Sequence, residues 1–205
     1  MLSRWGPERP VGAARKPGPR DHPVHGARLA AVFTIHATKK LLDRVKQPVA
    51  PPVLEPATEM GNWYATALFW QPQVGLLVNE RTLFPVLMPL APAATLLARF
   101  PASLERMLRA SGISAEFIEF EIAAMVEGRY AKTANRSVVG IMTEFSFMAE
   151  VHREAHGADD LVALALWLSG TPCGPLRKRH GFPDRELDAL VASWSGDRAE
   201  RDRRS

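Results

Sequence analysis

The chain contains a single cysteine, Cys173, among its 205 residues. One cysteine cannot form a disulfide framework, and it cannot build a cysteine-ligated zinc site within one chain. Scarce cysteine is typical of a reducing compartment, so we expect a cytoplasmic location. The strongest apolar run, residues 161–168, is far shorter than the roughly 18–20 residues needed to span a bilayer. We therefore expect no membrane partner.

Excess charge is missing from the middle of the chain, although the pI of the whole chain is about 9.6. Residues 1–28 carry six Lys or Arg against two acids, and residues 197–205 carry four Arg against three. Residues 29–196 are left with 16 basic and 17 acidic residues. A nucleic-acid-binding domain usually carries positive charge on its folded surface, so this distribution weakens that function for the domain itself. The sequence predicts a single domain over 29–196 between two disordered basic tails, 1–28 and 197–205.

Runs of β-branched and aromatic residues predict the strands. The clearest are 63–70, 74–78 and 82–88, and their short connections make neighbouring strands antiparallel. Pro85 cannot donate a ladder hydrogen bond, so the third of these strands should lie at an edge or a bulge. Two further segments have strand patterns: 30–36 and, as a strand or a loop, 129–133.

Helical periodicity and capping residues predict about five helices. We expect Pro101 to open one helix and Ser114 to cap the next. Asn135 or Ser137 should cap a long helix, and Pro183 should begin the last. The predicted fold class is α+β: a small, mostly antiparallel sheet of three to five strands packed against about five helices.

The most distinctive segment, residues 133–142, places polar side chains at a helix start. Free backbone N–H groups at such a start attract anions, and Arg136 can add a bidentate contact to a phosphate or carboxylate. Asn135, Arg136 and Ser137 are therefore candidate anion-binding residues. The alternative is a helix cap with a structural arginine that pairs with a buried acid.

Thr38, Lys39 and Lys40 end a predicted strand and open a helix, and they complete the set of candidate anion-binding residues. The placement suits phosphate, but no glycine-rich loop precedes it, so the segment is not a P-loop. The alternative is a solvated helix start. His152 and His156 have metal-compatible spacing without the Glu of a zinc-protease helix, and we predict no metal site and no cofactor. The sequence identifies no catalytic residues.

Three groups of residues resemble an uncharacterised prokaryotic family, a domain of unknown function. They are the start Thr-Lys-Lys-Leu-Leu at 38–42, the strands Trp-Tyr-Ala at 63–65 and Leu-Val-Asn-Glu-Arg-Thr-Leu-Phe at 77–84, and the helix start Thr-x-Asn-Arg-Ser-Val-x-Gly-x-Met at 133–142. The resemblance covers about residues 31–152. It implies a single domain that starts near residue 30, and it brings no established activity, cofactor or catalytic residues.

Two hypotheses of different class follow for the function. The first is a binding or regulatory module for a protein or nucleic-acid partner, which the protein engages through its basic tails. A toxin–antitoxin-like pair of bacterial proteins is one setting for such a module. This first hypothesis is favoured because the sequence contains no recognisable set of catalytic residues. The second is an enzyme that acts on a phosphorylated or nucleotide substrate, with the anion held by Asn135, Arg136 and Ser137 and assisted by Lys39 or Lys40. It requires Lys39 and Arg136 to converge on one pocket.

Overall fold

A computed structural model describes residues 32–51, 56–157 and 160–204, which form a five-stranded sheet and six α-helices. The strands are β1 (Val32–Ala37), β2 (Trp63–Leu68), β3 (Val74–Asn79), β4 (Pro85–Pro89) and β5 (Glu127–Lys132). The helices are α1 (Lys39–Val45), α2 (Leu96–Ala110), α3 (Ala115–Ala124), α4 (Arg136–His156), α5 (Leu161–Ser169) and α6 (Pro183–Arg204).

The sheet has the strand order β4-β3-β2-β1-β5. Short turns make β2, β3 and β4 an antiparallel meander, as the sequence predicts. By contrast β1 runs parallel to both of its neighbours, β2 and β5, because long connections leave room for crossovers. The α+β class is confirmed, and the expectation of a mostly antiparallel sheet is corrected to a mixed one.

Aromatic side chains on one face of the sheet pack against α2. The ring of Phe100 lies 5.0 Å from that of Trp63, edge to face, and 6.0 Å from that of Phe33. Successive residues of a strand point to opposite faces, so Tyr64 and Thr66 face away from α2. They lie on the side of α4, where the hydroxyl of Tyr64 reaches the start of that helix. The sheet is thus covered on both faces.

Two proline predictions have different outcomes. Pro85 begins β4, an outer strand of the sheet, so the expected edge position is confirmed. Pro101 does not open a helix but lies inside α2, which begins five residues earlier at Leu96, after a 3₁₀ turn. The expectation was wrong because a proline near a helix start removes only one early hydrogen bond, which the apolar packing of α2 outweighs.

The C-terminal helix α6 begins at Pro183, as predicted, and runs to Arg204. It thus includes residues 197–204, for which the sequence predicts a disordered tail. Arg204 pairs with Glu200 one turn away, and Arg198 pairs with Glu116 of α3 at 3.2 Å. The predicted tail 1–28 lies outside the described residues. None of the described helices is both long and apolar enough to cross a membrane.

Candidate functional site

The two predicted helix starts lie at the same edge of the sheet. Ala37, the last residue of β1, is paired with Lys132, the last residue of β5, and the two strands are parallel. The segments that follow them, 38–40 and 135–137, therefore leave the sheet side by side. This edge, at the carboxyl ends of parallel strands, is where α/β proteins commonly place ligands.

Asn135 is committed to contacts within the protein. Its side-chain oxygen accepts hydrogen bonds from the backbone N–H groups of Ser137 and Val138, so it is the cap of α4. Its amide donates to the carboxylate of Glu80 at 3.1 Å, and its backbone N–H donates to the hydroxyl of Tyr64. The N–H groups that would attract an anion are thus partly satisfied by the cap itself.

Glu80 lies at the centre of a polar network that joins three distant segments. Its carboxylate accepts hydrogen bonds from Asn62 at 3.2 Å, from Tyr64 at 3.3 Å and from Asn135. Burial raises the pKa of Tyr64, and the negative charge of Glu80 raises it further, so the phenol stays a donor. The network holds the start of α4 against β2 and the turn after β3.

The fully buried Asn79 extends this network to the turn between β3 and β4. Its side-chain oxygen accepts hydrogen bonds from the backbone of Arg81 and from both the backbone and hydroxyl of Thr82. Its amide donates to the carbonyls of Met60 and Asn62. The turn motif and the helix-start motif of the sequence therefore form one structural unit.

Lys39, Arg136 and Ser137 are not brought together in one cavity. The ammonium of Lys39 is exposed and pairs with Asp43 at 2.7 Å. Arg136 and Ser137 are exposed on the first turn of α4. Thr38 donates its hydroxyl to that of Thr66 at 3.0 Å instead of capping α1.

A cavity of about 640 Å³ opens beside this edge. Its lining comes from the start of α1, from residues 66–71 at and after the end of β2, and from one face of α4. Of the six candidate residues only Thr38 and Lys40 contribute to it. The floor is largely apolar, with Leu68 and Met142 among its residues, so the cavity suits an apolar group better than an isolated anion.

A second cavity, of about 490 Å³, adjoins the first, and Trp70, Gln71 and Arg153 contribute to the lining of both. The lining residues contributed by α4 and its C-cap run from Val139 to Gly157, a separation of about 27 Å at 1.5 Å per residue. We call this combined depression, between α4 and residues 66–72, the α4 groove. It is longer than a nucleotide-sized ligand requires.

Large apolar side chains stand exposed at the lips of the α4 groove. Phe69 is 52% exposed on one side and Phe147 is 71% exposed on the other. Val151, one turn after Phe147, is 50% exposed. Exposed apolar side chains that lie together in this way are typical of surfaces that bind a partner.

Cations outnumber acids around the groove. Arg153 lies over the ring of Trp70, 5.3 Å from its centroid, and Arg44 lies over Phe69 at 5.2 Å. Lys40 lines the end near β1, and the acid in the lining is Glu150, which pairs with Arg153. A partner with negative charge beside apolar groups would complement this lining.

The family model of a domain of unknown function, DUF6933, matches residues 34–186. The chain belongs to this family. The match starts within β1 and ends in the first turn of α6, so it extends beyond the segment 31–152 on which the resemblance rests. Neither the curated proteins nor the solved structures contain a match to the chain.

Membership of DUF6933 supports a domain that contains both the polar network and the α4 groove, because both lie within residues 34–186. Within the described part of the chain, no three His, Cys, Asp or Glu side chains are grouped so that they could hold a metal ion. The ring centroids of His152 and His156 lie 4.6 Å apart in a tilted arrangement, and the ring of His152 also lies tilted against that of Trp167.

Sequence reasoning missed the groove residues Phe69, Phe147, Val151 and Arg153. A signal for two of them exists: Phe147 and Val151 are apolar at helical spacing but lie off the inward stripe of α4. The position of Arg153 over Trp70 has no local signal, since the two residues are far apart in the chain.

Proposed function

We propose that this domain is a binding module whose α4 groove receives an amphipathic helix of a partner protein. The observation that carries the proposal is the apolar groove, about 27 Å long, with Phe69 and Phe147 exposed at its two lips. Recognition by this mode places the apolar face of one helix in a groove of the other protein. The first hypothesis from the sequence was a binding or regulatory module for a protein or nucleic-acid partner.

The outer surface of α4 favours a helix as the occupant. Val139, Thr143 and Phe147 line the groove at four-residue spacing, and the exposed Val151, outside the lining, continues their ridge along α4. Ridges of i±4 spacing pack into the grooves of a second helix. The groove length corresponds to about 18 helical residues, or five turns.

The alternative, an enzyme on a phosphorylated or nucleotide substrate, has less support. Lys39 pairs with Asp43 rather than entering the cavity, and Arg136 is absent from the lining of both cavities. Asn135 already caps the helix start that would hold the phosphate. Thr38 and Lys40 at the end of the groove are the remaining observation in its favour.

The proposed module has a regulatory role in the cytoplasm of a prokaryotic cell, with its partner as the effector. A toxin–antitoxin-like pair is one setting in which a small domain masks or presents a helix of a second protein. Engagement of a nucleic acid through the tails 1–28 and 197–205 is a separate hypothesis. It predicts salt-dependent binding to an oligonucleotide that is lost when residues 1–28 are deleted.

Selection from a displayed library of 18-residue amphipathic helices tests the proposal. We expect the protein to enrich helices with large apolar residues at i, i+4 and i+7. Phe147→Glu should abolish binding of the enriched helices measured by calorimetry, because it places a charge at the apolar lip. Phe120→Glu is the matched control, since Phe120 is 43% exposed on α3, outside the groove. If no helix is enriched, or if both variants lose binding equally, the proposal that the groove binds a helix is refuted.

A further inference from the structure

Arg153 occupies a special place in the α4 groove, because it lines both of the cavities that compose it. Its guanidinium lies over the indole of Trp70 and pairs with Glu150, three residues earlier on α4. Any helix that fills both cavities must pass this side chain. Arg153 is therefore positioned to contact an occupant where it crosses from the first cavity to the second.

The hydrogen-bonding capacity of Arg153 is incompletely used. Its Nε is buried and has no hydrogen-bond partner among the described residues, while one terminal nitrogen contacts Glu150. A guanidinium presents five donors in a planar fork that matches a carboxylate with two parallel hydrogen bonds. The second terminal nitrogen makes no hydrogen bond within the described residues and is not buried, so its donors can meet an acceptor of the occupant.

Glu150 is a replaceable partner for Arg153. The two side chains are 37% and 35% exposed, and they belong to one helix at i, i+3 spacing. Ion pairs of this exposure are weak, because water screens them and both side chains lose rotamer freedom. A carboxylate that arrives within the groove, shielded from water by the occupant, would compete successfully for the fork.

We propose that Arg153 anchors a carboxylate of the bound helix, so that the partner is an acidic amphipathic helix rather than an apolar one alone. The inference rests on the proposed function of the groove. Glu150 holds Arg153 until the partner arrives and then releases it to an Asp or Glu of the bound helix, at the position that faces Arg153. Lys40 and Arg44 lie toward the other end of the groove, and their positive charge also favours an acidic occupant.

The test repeats the helix selection with variants at this pair. We expect helices enriched by the wild-type protein to carry Asp or Glu at the position that faces Arg153. Arg153→Met should weaken their binding about tenfold, the equivalent of one lost charge-assisted hydrogen bond. Arg153→Lys should also weaken binding, because lysine keeps the charge but lacks the planar fork. Glu150→Gln should tighten binding, since it removes the competing carboxylate.

A matched pair outside the groove provides the control. Arg109 and Glu105 form a similar intrahelical ion pair on α2, and neither residue lines the groove. Arg109→Met and Glu105→Gln should leave the affinity unchanged. Glu150→Gln keeps the test decisive if Arg153→Met fails to fold.

The outcomes separate this inference from the proposed function. If no helix is enriched, the groove proposal fails as a whole. If helices are enriched without an acid at the position that faces Arg153, and Arg153→Met and Glu150→Gln leave their affinity unchanged, the groove stands and the role of Arg153 is overturned. If the free protein is a dimer that Phe147→Glu converts to a monomer, the occupant is a second copy of this chain and the acidic partner is overturned.

Discussion

The side-chain amide of Asn135 donates a hydrogen bond to the carboxylate of Glu80, 3.1 Å away, although the two residues stand 55 positions apart in the chain. This contact joins two of the sequence motifs on which the resemblance rests. Together with Tyr64 and Asn79 it forms the polar network beneath the start of α4. The motifs therefore hold the start of α4, one wall of the groove, in place.

Replacing Asn135 should destabilise the domain. Asn135→Ala removes the cap of α4 and the hydrogen bond to Glu80. Loss of a cap costs about 1 kcal/mol, and loss of a hydrogen bond to a charged group costs about 1.5–3 kcal/mol. We expect the free energy of unfolding in urea to fall by about 2–3 kcal/mol, allowing for solvent access to Glu80. Ser137→Ala, two residues further along α4, should change the free energy of unfolding little. Equal stability of the two variants would contradict the structural role of Asn135.

Two glycines, one in a strand and one in a helix, should respond in opposite directions to alanine. At Gly128 in β5, an added Cβ would lie 2.5 Å from the ring of Phe33, which is buried against Phe100. Overpacking of this kind costs about 1–3 kcal/mol. At Gly140, exposed on α4, an added Cβ meets no atom within 4 Å. Gly140→Ala should stabilise the domain by about 0.5–1 kcal/mol through helix propensity.

A double-mutant cycle locates the cause at Gly128. Phe33→Leu replaces the ring that the new Cβ would meet with a shorter side chain. Gly128→Ala should therefore lower the free energy of unfolding less in the Phe33→Leu background than in the wild type. Thermal or urea unfolding of the four proteins gives the coupling energy. Additive effects would show that the clash with Phe33 is not the source of the destabilisation.

Glu121 should make the stability depend on pH near neutrality. Its carboxylate is fully buried on α3 and accepts backbone N–H groups of Glu59 and Met60. Burial raises its pKa to about 7, and these hydrogen bonds offset only part of the effect. The folded protein therefore binds this proton more tightly than the unfolded chain, and its stabilising effect is lost as pH rises through about 7.

Glu121→Gln isolates that effect. Between pH 5 and pH 8 the wild-type protein should lose up to about 3 kcal/mol more of its unfolding free energy than the variant, at about 1.4 kcal/mol per unit of pKa difference. The measurement is urea unfolding of both proteins across this range. Parallel pH profiles would mean that Glu121 titrates in the folded protein as it does in the unfolded chain.

Local patterns were sufficient for the antiparallel part of the sheet. The short turns between 63–70, 74–78 and 82–88 predict β2, β3 and β4, and the missing N–H of Pro85 predicts its edge position. The cap at Asn135 follows from residue type, and the structure selects it over Ser137.

Long-range pairing was beyond local patterns. The parallel contacts of β1 with β2 and β5 join segments about 30 and 95 residues apart, and no turn chemistry specifies them. The sequence suggested that the two helix starts could meet. It did not show that Glu80 would accept a hydrogen bond from Asn135, or that Asp43 would pair with Lys39. The α4 groove arises from packing between α4 and residues 66–72, so only Phe147 and Val151 left a trace in the sequence.

The central claim, that the α4 groove is the binding site, is tested most directly by backbone NMR of the full chain during titration with a selected acidic helix. We expect shift changes to concentrate in residues 66–72 and 139–153, which line the groove. The signals of α3 around Phe120 should stay unchanged, and Phe147→Glu should remove the response. Shift changes centred on α3 or α6, with residues 139–153 unaffected, would contradict the account.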